Sequence, residues 1–96
     1  MLKVLAACGN GMGSSQMIKM KIAKVFKRLG VDASIDHNSI GAAKSMASNF
    51  DAVFVSENFV SQFANAEAKG TAIIGLKNLL DEKEIETKIK ERILNQ

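Results

Sequence analysis

The segment Cys8-Gly9-Asn10-Gly11-Met12-Gly13-Ser14-Ser15 holds the residues of this chain best suited to do chemistry. It follows a short apolar run, Val4 to Ala7, and precedes a helix-like stretch that begins near Ser15. A nucleophile therefore ends a strand, and a glycine-rich loop carries the chain to a helix N-terminus. Glycine at positions 9, 11 and 13 lets the backbone turn so that several N–H groups converge on one anion. The helix adds unpaired N–H donors and the positive end of its dipole. A phosphoryl group suits such a cradle. Donors of this kind lower the pKa of a thiol and favour the thiolate, the form that attacks phosphorus. In-line phosphoryl transfer then needs little beyond positioning and charge stabilisation. Cys8 is read as the nucleophile, and Gly9, Asn10, Gly11, Met12, Gly13, Ser14 and Ser15 as the phosphate-binding loop, with hydroxyl donors available from the two serines. No metal and no cofactor is expected.

Several neighbouring motifs fall away. The lysine of a triphosphate-binding loop is missing, the glycines lack the spacing of a dinucleotide fingerprint, and there is no second cysteine for a redox pair. A small cysteine phosphatase or arsenate-reductase-like enzyme remains as the alternative. The small tyrosine phosphatases use Cys-x5-Arg, whose guanidinium clamps the phosphate, whereas the residue six after Cys8 is Ser14. No carboxylate lies nearby in sequence to act as the general acid of a fast hydrolysis. The loop suits holding a phosphoryl group and passing it on.

The elements that position this loop follow from periodicity. Leu2 to Ala7 reads as a buried strand. Residues 15–29 read as a helix, with Ile18, Ile22, Val25, Phe26 and Leu29 on one side and Gly30 as its stop. Val31 to Asp36 alternates as a second strand, and Ser39 caps a helix to about Ser48. Ala52 to Val55 is a third strand, followed by a short helix over Phe59 to Ala66, and Thr71 to Leu76 is a fourth. Asp81 caps a last helix carrying Ile85, Ile89, Ile93 and Leu94 on one side. Strict alternation predicts an α/β fold: an open four-stranded parallel sheet flanked by helices on both faces, three-layered and Rossmann-like. Ligands of such sheets bind beyond the carboxyl ends of the strands. The Cys8 loop belongs at that edge, together with His37-Asn38-Ser39, Ser56-Glu57-Asn58 and Lys77-Asn78.

The 96 residues read as one domain, 1–96, with 47% hydrophobic composition sufficient for a core. No apolar run approaches the roughly 18–20 residues of a membrane span, so no direct membrane insertion is expected. The first apolar run is too short for a signal peptide, and the single cysteine suits a reducing compartment, so a cytoplasmic location is expected. Residues 1–30 carry Lys3, Lys19, Lys21, Lys24, Lys27 and Arg28 and no acid, while the rest has a net charge of −3. Without Trp or Tyr for base stacking, nucleic acid is not expected as a partner. Two readings of the Lys19 to Arg28 cations stay open: a docking face for an acidic partner, or a solvated helix face. Met12 is a candidate for an apolar contact rim, and Met17 for the rim or the core. His37 reads as a solvated loop histidine, and the mixed charges of Asp81 to Arg92 as a solvated helix surface.

Cys-Gly-Asn-Gly-x-Gly-Ser-Ser, and the chain as a whole, resembles the IIB components of the bacterial phosphoenolpyruvate-dependent sugar phosphotransferase system. The loop is most similar to the L-ascorbate branch, and Gly75-Leu76-Lys77-Asn78-Leu79-Leu80 also resembles that branch after the fourth strand. The resemblance implies a phosphocarrier. Cys8 would take a phosphoryl group from the phosphohistidine of a IIA partner. A IIC membrane transporter would hold the sugar that receives it. The resemblance also admits a regulatory domain of IIB type, which the length of the chain disfavours.

Overall fold

Alternating side chains of β1 (Leu2–Cys8) decide the layering. Val4 and Ala6 enter one buried cluster, and Leu5 and Ala7 enter the other. A strand whose neighbouring residues are all fully buried must be covered on both faces, the signature of a central parallel strand. The computed structural model describes residues 2–8, 12–78 and 80–93. Its remaining strands are β2 (Ala33–Ser39), β3 (Ala52–Ser56) and β4 (Ala72–Leu76). All pair in parallel, in the order β2-β1-β3-β4. The helices are α1 (Met12–Arg28), α2 (Ile40–Met46), α3 (Ala64–Ala68) and α4 (Glu82–Arg92). Residues Ala47–Asn49 and Glu57–Phe63 form 3-10 turns.

On one face, Ile18, Ile22, Val25 and Phe26 of α1 and Ile85 and Ile89 of α4 pack on Val4, Ala6, Phe54 and Ile74. Phe26 meets Phe54 edge-to-face, with ring centroids 6.1 Å apart. On the other face, Ile40, Ala43, Ala47, Phe63 and Ala66 cover Leu5, Ala7, Val53, Val55 and Ile73. The three-layer parallel architecture read from the alternation is the one formed.

Several boundaries differ from the sequence reading. The helix expected to about Ser48 gives way after Met46 to a 3-10 turn, and the short helix expected over Phe59 to Ala66 is 3-10 over Glu57–Phe63 before α3. Two further shifts bear on the site. α1 begins at Met12, so positions 12–15, expected in a loop, belong to its first turn. The linking residues 9–11 lie outside the described residues. β2 begins at Ala33 and runs on through Ser39. Val31 is used instead to close α1: its N–H donates to Phe26 O, that of Gly30 donates to Lys27 O, and Gly30 adopts φ 74°. That left-handed turn is the glycine-dependent helix stop expected from the sequence. In consequence His37, expected in a solvated loop, lies within an edge strand, level with Ala6 and half-buried. An edge strand tolerates such polar residues because one flank stays open to solvent.

Candidate functional site

The strand order locates the site. The chain leaves β1 for β2 on one side, then crosses to β3 and β4 on the other. The reversal lies between β1 and β3, and the crevice beyond their carboxyl ends is where open α/β sheets bind ligands. Cys8 closes β1 at that point. Its register partner is Ser39, the N-cap of α2, whose Oγ accepts the Ala42 N–H at 3.3 Å. On the other flank β1 and β3 pair through Ala6 and Phe54, and Ser56 stands two residues past Phe54 as Cys8 does past Ala6. Ser56 is half-buried and does not cap the 3-10 turn that follows it. The sequence placed Ser56 at the same edge as the Cys8 loop without giving it a role, and the strand order makes it the immediate neighbour of Cys8.

The nearby backbone is tightly determined. The 3-10 turns Glu57–Phe63 lie against Gly75, where a Cβ would come within 2.6 Å of Val60 Cγ2 and 3.1 Å of Glu57 Cα. Glycine at 75 therefore allows β4 to pass under the segment bearing Glu57 and Asn58. Beyond β4, Glu84 accepts the N–H groups of Lys77 at 2.7 Å and Asn78 at 3.0 Å. Asn78 Oδ1 accepts the Leu80 N–H at 2.9 Å. The sequence held no short-range sign of Glu84 as an anchor, because it acts backwards from α4 on the preceding loop.

α1 has no acidic residue in its first turn, whereas α4 has Glu82 and Glu84 there. Acids are favoured at helix N-termini, so α1 keeps its positive end uncompensated where it follows Cys8. Three of its later cations are engaged. Lys21 Nζ donates to Glu82 at 2.9 Å, Arg28 donates to Glu82 at 2.7 Å and to Glu86 at 3.4 Å, and Lys24 lies 3.8 Å from Glu82. Hydrogen bonds from Lys21 and Arg28 hold the Glu82 carboxyl at about 2, well below its usual range, and the same contacts raise the Arg28 pKa. The acidic face of α4 is therefore no mere solvated surface. Lys19 and Lys27 enter no ion pair among the described residues. Met17, weighed for the core, is 54% exposed.

Among the described residues no cluster of His, Cys, Asp and Glu could hold a metal ion, and no helix is long and apolar enough to cross a membrane. Of the predicted phosphate loop, Gly9, Asn10 and Gly11 lie outside the described residues. Met12, Gly13, Ser14 and Ser15 are placed by their backbone in α1.

Residues 3–91 match the family described as PTS system, Lactose/Cellobiose specific IIB subunit. The chain belongs to the IIB family. Among curated proteins, this IIB chain is 45% identical to the ascorbate-specific PTS system EIIB component of Mycoplasma pneumoniae, over 88% of this chain and 86% of that one. It is 28% identical to the EIIB component of the same description from Salmonella choleraesuis, over 96% and 89%. Among solved structures, the lactose-specific IIB component domain from Streptococcus pneumoniae superposes with a TM-score of 0.73 at 17% identity, covering 96% of this chain and 97% of that chain. That likeness establishes the shared fold, and family membership makes the chain a component of a sugar phosphotransferase system.

Proposed function

We propose that this IIB chain carries a phosphoryl group on Cys8, taken from the phosphohistidine of a IIA partner and delivered to L-ascorbate held by a IIC membrane transporter. The carrying observation is Cys8 at the end of β1, at the switch point, with α1 beginning at Met12. The ascorbate assignment rests on the named relatives, above all the one 45% identical. The family match bears a lactose/cellobiose description, and the ascorbate reading follows instead the relative that is 45% identical over 88% of the chain.

In the first step the Cys8 thiolate attacks phosphorus in line. An S–P bond forms as the P–N bond breaks, and the electron pair leaves on the donor imidazole. N–H groups from Gly9 to Ser15 hold the three phosphoryl oxygens, helped by the N-terminal field of α1. In the second step a sugar hydroxyl oxygen attacks the phosphorus. The S–P bond breaks to restore the thiolate, and the hydroxyl proton passes to a base on the acceptor's side. No guanidinium stands six residues after Cys8 to stabilise hydrolysis, which favours retention of the group.

Intact-mass spectrometry after incubation with phosphoenolpyruvate, the general phosphotransferase proteins and a cognate IIA tests the reading. We expect one phosphoryl adduct on the wild type, none on Cys8→Ser, and no turnover of p-nitrophenyl phosphate. Cysteine-dependent release of nitrophenol without an adduct would replace the carrier with a phosphatase. Transfer from the adduct to ascorbate, but not to lactose or cellobiose, in membranes bearing the IIC transporter checks the sugar.

A further inference from the structure

The outer side of α1 carries an apolar strip that the carrier chemistry does not use. Met17 and Met20 are 54% and 64% exposed, and with Lys21 and Lys24 they line a shallow depression of about 370 Å³. Positions 17, 20, 21 and 24 recur at helical spacing and form one stripe. At a rise of roughly 1.5 Å per residue, the stripe runs from about 7 to about 18 Å beyond the helix start at Met12. It therefore leads directly away from the proposed phosphoryl site. Burying two methionines would remove a substantial apolar area from water, and their flexible thioethers adapt to more than one surface.

Charge decides the partner. Lys24 keeps 66% of its side chain exposed beside the methionines, and Lys27 is exposed one turn further on. Glu82 holds Lys21 at the inner margin without covering the stripe. Cytoplasmic loops of transporters carry an excess of Lys and Arg, so a cationic rim opposes docking to the membrane acceptor. It favours a partner presenting apolar side chains ringed by carboxylates. We infer that Met17, Met20 and Lys24 form the docking surface for the protein that donates the phosphoryl group, and that this donor presents an apolar patch with an acidic rim. The inference rests on the phosphocarrier reading and adds the face on which the donor sits.

The test measures the initial rate of Cys8 phosphorylation by the phosphorylated cognate donor, over a range of donor and salt concentrations. Met17→Ser/Met20→Ser should raise the half-saturating donor concentration about tenfold at an unchanged maximal rate, as expected when apolar anchors are lost. Lys24→Glu should raise it about threefold and flatten the salt dependence of the wild type. Thermal melting and alkylation of Cys8 by iodoacetamide should match the wild type, since all three side chains are exposed. If the double variant melts early, Lys24→Glu and the wild-type salt dependence decide alone. A normal wild-type adduct with less than about a twofold shift in the variants overturns the docking surface and leaves the carrier reading standing. Absence of any wild-type adduct overturns the carrier reading and this inference with it. Flotation with phosphatidylglycerol-containing vesicles that is lost in the double variant would make the stripe a membrane contact and overturn the inference.

Discussion

Ser56 shows what a single residue contributes when topology chooses its neighbours. It ends β3 beside the end of β1 and spends no hydrogen bond on the turn after it. A hydroxyl so placed has a phosphoryl oxygen as its natural acceptor. We expect Ser56→Ala to slow phosphorylation of Cys8 by about tenfold, since a hydrogen bond to a charged group is worth about 1.5–3 kcal/mol. Ser56→Thr, which keeps the hydroxyl, should restore most of the rate, and single-turnover mass spectrometry would separate the two. Equal rates for Ala and wild type would remove Ser56 from the site. The place of Cys8 between strand and helix was legible in the sequence because its context is local: apolar run, thiol, glycines, helix. Ser56 was legible only as one of several residues at that edge, because strand order alone makes it the neighbour of Cys8.

Elements repeat that contrast through the α1–α4 pair. Five cations without an acid left α1 open to two readings, a docking face or a solvated face, and Glu82 and Glu86 of α4 take up Lys21 and Arg28 while Lys24, 3.8 Å from Glu82, stays largely exposed. The partners are separated by 54–61 residues, so no helix-spacing rule could pair them. The pairing has a pH signature. Glu82 titrates near 4.5 when unpaired and near 2 in the fold, so its contribution is complete above pH 4.5 and disappears as pH falls towards 2. Glu82→Gln should melt below the wild type at neutral pH, and the gap should close across that acid window. A gap independent of pH would mean that packing, rather than charge, accounts for the loss. Ends of elements also moved where backbone bonding overruled pattern: Val31 reads as strand but closes α1, which shifts β2 towards Ser39.

At the scale of the molecule, β1 is shared by both cores. Val4 and Ala6 belong to one, Leu5 and Ala7 to the other, so neither layer can open without stripping the central strand. Calorimetric and van't Hoff enthalpies of unfolding should therefore agree, as for a single cooperative unit. A calorimetric excess with two resolved transitions would show that the α1–α4 layer and the α2–α3 layer melt separately.

The sequence alone determined the α/β class, the number of strands, the helix cap at Asp81, the stop at Gly30 and the place of Cys8 at the end of the first strand. Each depends on neighbours a few residues apart, where side-chain period and backbone conformation are set. Tertiary structure decided the strand order, the place of Ser56 beside Cys8, the clearance at Gly75, the anchoring of the Lys77–Asn78 loop by Glu84 and the capture of α1's cations by α4. These depend on burial and charge partners that only chain crossover brings together, and no local pattern encodes which crossover the chain will take.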